Sequence, residues 1–232
     1  YHEQFFLKDK MIPAELIVSN PNYLSIMRGL NVPKDIYTHI AGIDLIRNES
    51  GNFYVLEDNL RTPSGVSYML ENREITRRLY PKFIPKNKVL PINNYPTLLY
   101  NQLKSLSGKK KPVIVLLTPG LYNSAYYEHT ALARLMGVEL VEGNDLVSEN
   151  NYVFMKTAGG LKIVDIIYRR LDDDFLDPLN FNSASVLGVA GIMDSYRNGN
   201  VIIVNAPGSG IADDKAVYTY CLLYTSPSPR DA

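Results

Sequence analysis

Short apolar runs separated by polar, glycine-bearing turns mark the first part of the chain. Ile43, Leu45 and Ile46 form one run, interrupted by a single acid at Asp44. Residues 48–52 are polar and include Gly51. Residues 53–56 (Phe, Tyr, Val, Leu) are again β-prone and end in Glu57, Asp58 and Asn59. Two such runs around a short Gly-containing loop predict a β-hairpin. Folding about Ser50 and Gly51 sets Asp44 roughly opposite Glu57. Side chains two apart on a strand share a face, so Glu57 and Asn59 point the same way. The pattern therefore gathers Asp44, Glu57 and Asn59 in one place.

Elsewhere the pattern alternates between helix and strand. Pro13 suits the first turn of a helix, and Asn31, Val32 and Pro33 mark a break before the hairpin. Residues 66–79 predict a helix with Leu70, Ile75 and Leu79 as its apolar positions. Prolines 81, 85, 91 and 96 punctuate a connector, and residues 95–106 predict a further helix. At residue 111 the texture changes. Residues 112–117 (PVIVLL) are a continuous apolar run, as expected of a strand buried on both faces. A helix over 124–136 follows, stopped by Gly137, then a strand over 138–141. A hairpin is expected over 155–167 with Gly159 and Gly160 at its turn, and a last buried strand over 201–204. Strand, helix and strand at this spacing predict a small α/β region with parallel pairing. The fold class is thus α/β, with α+β character in the N-terminal part.

Composition narrows the partners. The 232 residues carry 24 basic and 24 acidic side chains, 46% hydrophobic and 21% charged residues, within the ordinary globular range. A neutral chain gives no electrostatic reason to expect nucleic acid or an anionic membrane as partner. No apolar run approaches the roughly 20 residues that cross a bilayer. The only cysteine, Cys221, opens a segment (CLLYTSPSPRDA) that breaks abruptly from what precedes it. That segment looks like translated sequencing-adaptor sequence, so residues 221–232 are set aside as a non-native tail, the alternative being a natural Pro/Ser-rich end. Without it the chain has no thiol, which is compatible with a reducing, cytoplasmic setting.

Several residue groups have chemistry in them. Asp44, Glu57 and Asn59 offer three oxygen-bearing side chains, a set suited to a hard divalent cation such as Mg²⁺; a solvated hairpin face would carry the same residues. In the α/β region, ligands usually sit beyond the carboxyl ends of strands, which singles out Thr118, Gly120, Asn123, Ser124 and Glu128. Arg169 and Arg170, followed by three aspartates, can clamp a phosphate or carboxylate, or belong to a charged surface loop. Gly208 and Gly210 lie in a Gly-rich loop able to cradle an anion, or to make a tight turn with no ligand. His2 and His39 suit ligands or bases as well as packed imidazoles, and His39 leads directly into the hairpin. Residues 108–111 (GKKK) read as a solvated turn, since no Walker pattern accompanies them.

Asp-x-x, a short hairpin, then Glu-x-Asn leading to Pro63, Ser64 and Gly65 resembles the magnesium-binding end of ATP-grasp ligases. The longer string HIAGIDLIR…GNFYVLEDNLRTPSGVSYMLENR is similar to the circularly permuted ATP-grasp family (type 2) in particular. The resemblance continues through residues 118–146, 168–179 and 205–216, and covers nearly all of residues 1–220. It implies a partial ATP-grasp catalytic lobe with a Rossmann-like pre-ATP-grasp domain. The expected segments are a metal-binding portion (1–85), a linker (86–110), the Rossmann-like domain (111–220) and the tail (221–232). By position, Asp44, Glu57 and Asn59 fall on the family's magnesium ligands. Arg61, Ser64 and Gly65 fall beside the phosphates and acceptor, as catalytic residues. His39, Lys215 and the loop residues named above fall on substrate-binding positions.

The activity implied is an ATP- and Mg²⁺-dependent carboxylate–amine ligase acting through an acyl phosphate. Its partners would be small molecules or peptides with carboxylate and amine groups, with no nucleic acid or membrane. Residues 1–220 would lack the nucleotide lobe, so the chain is expected to be inactive alone. Two other classes fit less of the pattern. A scaffold that kept the fold but lost turnover has no reason to retain Asp44, Glu57 and Asn59 together. A nicotinamide-dependent oxidoreductase finds support only in the α/β region, and GxGxxG is absent from its first loop.

Overall fold

The hairpin predicted over residues 43–59 is present, and among the described residues its two strands pair only with each other. The structure, a computed structural model, describes residues 1–82, 89–217, 219 and 220. In chain order its regular elements are α1 (Phe5–Lys8), α2 (Ala14–Val18), β1 (Gly42–Arg47), β2 (Phe53–Asn59), α3 (Val66–Leu79), α4 (Tyr95–Leu106), β3 (Ile114–Leu117), α5 (Tyr126–Met136), β4 (Glu139–Val141), β5 (Leu146–Glu149), β6 (Tyr152–Thr157), β7 (Gly160–Ile163), β8 (Ile166–Arg169), α6 (Asp173–Leu176), α7 (Ile192–Arg197) and β9 (Ile202–Val204). Contacts divide the chain into two compact units. One joins Tyr1–Pro63 to Ile203–Ala232, and the other is Ser64–Ile202.

The first unit has a small core of Ile12, Leu24, Met27, Leu30, Val32 and Val217. Pro13 stands at the N-cap of α2, where its missing N–H costs no helical bond. β1 and β2 run antiparallel, with Asp44 paired to Glu57 and Gly42 to Asn59. Between Asp44 and Leu45 the register shifts, because Leu45 pairs with Val55 and leaves Leu56 as an extra residue. Such a bulge bends one strand and raises the local twist. It sits directly beside the Asp44–Glu57 pair. At the loop, Asn48 N–H donates to the Asn52 carbonyl (2.9 Å), and the Asn52 N–H returns a bond to Asn48 Oδ1 (2.9 Å).

The second unit is mixed α/β. Its central sheet orders β4, β3 and β8 side by side, all parallel. Ile202, where β9 begins, donates its N–H to the Asp165 carbonyl (2.9 Å). All four residues of β3 and of β8 are buried, which is why both read as uninterrupted apolar runs. Helices α4 and α5 pack together; α4 buries Pro96, Leu99, Leu103 and Leu106. A second, antiparallel sheet orders β5, β6 and β7. Among the described residues no helix is long and apolar enough to cross a membrane.

Three expectations change. The hairpin placed over 155–167 begins earlier and ends at Ile163, since Ile166 and Ile167 leave it to form β8 in the parallel sheet. The helix α3 keeps its predicted bounds, but Ile75 and Leu79 are exposed and Ser67 is its only buried residue. In contacts, α3 and α4 belong with the second unit, because both pack against α5. The Pro/Ser-rich segment 221–232 and Pro85 lie outside the described residues.

Candidate functional site

In the first unit, the hairpin register sets Asp44 directly opposite Glu57. Pairing across an antiparallel ladder puts opposite residues on one face, and Asn59, two residues beyond Glu57, shares it. Lys215 completes the group, its Nζ 2.8 Å from Glu57 Oε2. The hydrogen bond from Lys215 holds the Glu57 carboxyl below its ordinary range, against the opposing effect of desolvation, and contact with Asp44 acts in the same direction as the lysine. The same bond, with the charge of Glu57, raises the Lys215 ammonium.

The loop after β9 holds the base of this hairpin. Asn205 Oδ1 accepts from the N–H groups of His39 (2.8 Å) and Ile40 (3.0 Å), at the entry to β1. Asn205 Nδ2 donates to the carbonyls of Ile40 (2.7 Å) and Leu60 (2.6 Å), the latter just past the end of β2. Asp213 Oδ1 accepts from Leu60 N–H (2.6 Å), and Ser209 Oγ donates to the Leu60 carbonyl (3.3 Å). Arg61 sets its Nε 3.9 Å from Asp213 Oδ2. Sequence reading missed Asn205, Ser209 and Asp213. Their loop drew notice for its glycines, and a side-chain-to-backbone bond across more than 140 residues has no local signature.

Gly208 and Gly210 serve close approach here. Gly208 adopts φ 81°, and a Cβ on it would come within 2.6 Å of the Tyr1 hydroxyl, which donates to the Gly208 carbonyl (3.1 Å). A Cβ on Gly210 would meet Arg61 Cδ at 3.0 Å. The His39 ring has both nitrogens shielded from solvent without a hydrogen-bond partner among the described residues. Burial lowers its pKa, so the ring is neutral at pH 7. His2 lies at the surface beside Tyr37, with Nε2 3.0 Å from the phenolic oxygen.

The remaining candidates lie in the second unit. Gly65, at φ 118°, is the N-cap of α3, a conformation that glycine reaches without the Cβ penalty. Its N–H and that of Ser67 donate to Glu128 Oε2 (2.7 and 3.1 Å), as does Ser67 Oγ (3.0 Å). Arg170 Nη2 donates to Glu128 Oε1 (3.2 Å) and Nη1 to the Tyr168 hydroxyl (3.0 Å). Glu128 is fully buried and Arg170 nearly so, so their charges answer each other inside the unit. Burial also raises the Tyr168 hydroxyl and, with smaller help from Tyr168 and Glu128, pushes Tyr95 up to about 12. Arg169 is fully buried too, with Nη2 2.8 Å from Asp173 Oδ1 and Nη1 donating to the Leu171 carbonyl (2.8 Å).

Thr118 follows the end of β3 and is buried, its Oγ1 2.8 Å from His129 Nδ1 and accepting from Gly120 N–H (3.2 Å). Asn123 Oδ1 accepts from Ala125 N–H (2.8 Å), forming the turn into α5, and Ser124 is exposed beside it. Ser64 is exposed at the start of the unit. Thus the structure groups Asp44, Glu57, Asn59 and Lys215 in one unit, and Gly65, Glu128 and Arg170 in the other.

The model of the family described as circularly permuted ATP-grasp type 2 matches residues 1–222. The chain belongs to this family. The match takes in Cys221 and Leu222, two residues of the segment set aside as non-native. An uncharacterized protein of Synechocystis sp. is 47% identical over 222 residues, covering 95% of this chain and 46% of that protein. An uncharacterized protein of Mycobacterium tuberculosis is 49% identical, covering 95% of this chain and 40% of its own length. A Frankia alni protein named "Putative glutamate--cysteine ligase 2-3" is 36% identical over 225 residues, 26% of its length. The chain therefore spans less than half the length of these relatives.

Proposed function

We propose that this chain carries the magnesium-holding end of an ATP-dependent carboxylate–amine ligase. The observation that carries the reading is the Asp44–Glu57 pair, set face to face by the hairpin register and already attracting a cation, the Lys215 ammonium. Two carboxylates and the amide oxygen of Asn59 are hard donors of the type Mg²⁺ takes. Among the described residues no three His, Cys, Asp or Glu side chains group to hold a metal. Mg²⁺ does not need such a cage: one or two carboxylates suffice, with water and substrate phosphates filling the rest. The donor set therefore fits the ion that the family implies. When bound, Mg²⁺ would neutralise phosphate charge during phosphoryl transfer.

The chain's own residues divide the other tasks. Asp44, Glu57 and Asn59 hold the ion, and Lys215 keeps the carboxylate pair charge-balanced until it arrives. Arg61 is the group to stabilise negative charge on an acyl oxygen, with Asp213 orienting its guanidinium. The family pattern assigns Ser64 and Gly65 to the acceptor. We read the parallel-sheet part as the Rossmann-like pre-ATP-grasp domain and the first unit as part of a grasp lobe. The name of the Frankia alni relative supports amide formation between a carboxylate and an amine; passage through an acyl phosphate is part of the proposal. Carboxylate and amine substrates would be small molecules or peptides.

Calorimetric titration of the chain with MgCl₂ tests the reading. Asp44→Asn and Glu57→Gln should each abolish measurable binding. Lys215→Met should tighten it several-fold, because the competing ammonium is gone while both carboxylates remain. Unchanged affinity in Asp44→Asn and Glu57→Gln would refute the assignment.

A further inference from the structure

We infer that Asn205 is the positioning residue of the metal hairpin, fixing Asp44 and Glu57 in register from outside the sheet; this rests on the reading of those carboxylates as metal ligands. A lone two-stranded hairpin is marginal in water. Here Ile43, Leu45, Ile46, Phe53, Val55 and Leu56 are all exposed, so burial of its own apolar side chains does little to hold it. What grips it is polar. Asn205 is 2% exposed, and its amide answers both ends of the hairpin base at once: the His39 and Ile40 N–H groups and Ile40 carbonyl on entry, the Leu60 carbonyl on exit. Both N–H donors and both lone pairs of the amide are used. A reversed amide would set donor against donor and acceptor against acceptor, so the orientation is determined by the partners.

The consequence is geometric. Entry and exit strands tied through one side chain cannot slide past each other, and a one-residue slip would move Asp44 and Glu57 to opposite faces. The bulge beside Asp44 makes this restraint matter more, since a bulge is where a ladder is locally disrupted. From the same loop, Asp213 and Ser209 act on Leu60 at the exit, and the Ala206 N–H donates to the Tyr37 carbonyl (2.9 Å) ahead of the entry. Only Asn205 bridges the two among these.

The test is Mn²⁺ binding to the chain, followed by electron paramagnetic resonance at a temperature where each variant is folded by circular dichroism. Asn205→Ala should weaken the Mn²⁺ Kd by about tenfold or more, the usual effect of removing an outer support of a metal ligand. Asn205→Asp is the sign test. Added negative charge by itself would tighten binding, whereas loss of the two N–H donors weakens it, and weakening is expected. Asn182→Ala, which removes a turn bond in the second unit, should lower stability and leave the Kd unchanged. Wild-type Kd values in both Asn205 variants would overturn the inference and leave the metal reading standing. No Mn²⁺ binding by the parent chain would overturn both. Should neither variant fold, amide exchange in the parent decides: His39 and Ile40 must be protected, and exchange at the unprotected rate would overturn the clamp.

Discussion

His129 shows how a single side chain can be made chemically silent. It is 2% exposed, tied to Thr118 through Nδ1, and burial, with Arg170 adding to it, lowers its pKa from 6.5 to about 4. The folded chain therefore binds fewer protons at this ring than the unfolded chain between those values. Stability is full above pH 6.5 and falls as pH drops through that window. By pH 5 the loss from this ring alone is about 2 kcal/mol. Urea denaturation of wild type and His129→Gln at pH 7.5, 6 and 5 measures it. Wild type should lose more stability than the variant over this range, and parallel losses would contradict the assignment. Asp44 and Glu57 were legible in sequence because a turn plus strand alternation decides which residues face each other. Nothing nearby announces that Glu128 is buried or that Asn205 reaches the hairpin, since both depend on partners distant in the chain.

At the scale of elements, α3 depends on another helix for its start. Its first-turn N–H groups are among those a helix leaves without intrahelical partners, and the carboxylate that accepts two of them comes from α5. Acidic charge at that end also suits the helix dipole. Glu128→Ala would orphan those amides and leave the Arg170 guanidinium buried beside an empty space. Breaking a buried pair in this way costs about 3–5 kcal/mol, read as a lower urea midpoint for the second unit; a loss below about 1 kcal/mol would contradict the buried network. The bounds of α3 and α4 were readable from apolar spacing and flanking Gly and Pro. The buried face of α3 was not, because Ile75 and Leu79 carry the helical period without being covered and Leu70 is only half-buried. The end of the β6–β7 hairpin was misplaced for a related reason: residues 163–167, apolar except for Asp165, do not reveal where one strand stops and another begins.

At the scale of the molecule, the family was legible over almost the whole length, and the match to residues 1–222 bears that out. The partition was less legible, because residues from 203 onward join the unit built by residues 1–63, and no local pattern encodes such a return. The proposed function stands on Asp44, Glu57 and Asn59 forming one cation site on the hairpin. Paramagnetic broadening of backbone amide resonances by substoichiometric Mn²⁺ tests it most directly, since the effect falls steeply with distance from the ion. The account predicts that the amides of residues 44, 57 and 59 broaden first and recover on chelation. Broadening centred elsewhere, for example on Asp172, Asp173 and Asp174, or none in the hairpin, would contradict it.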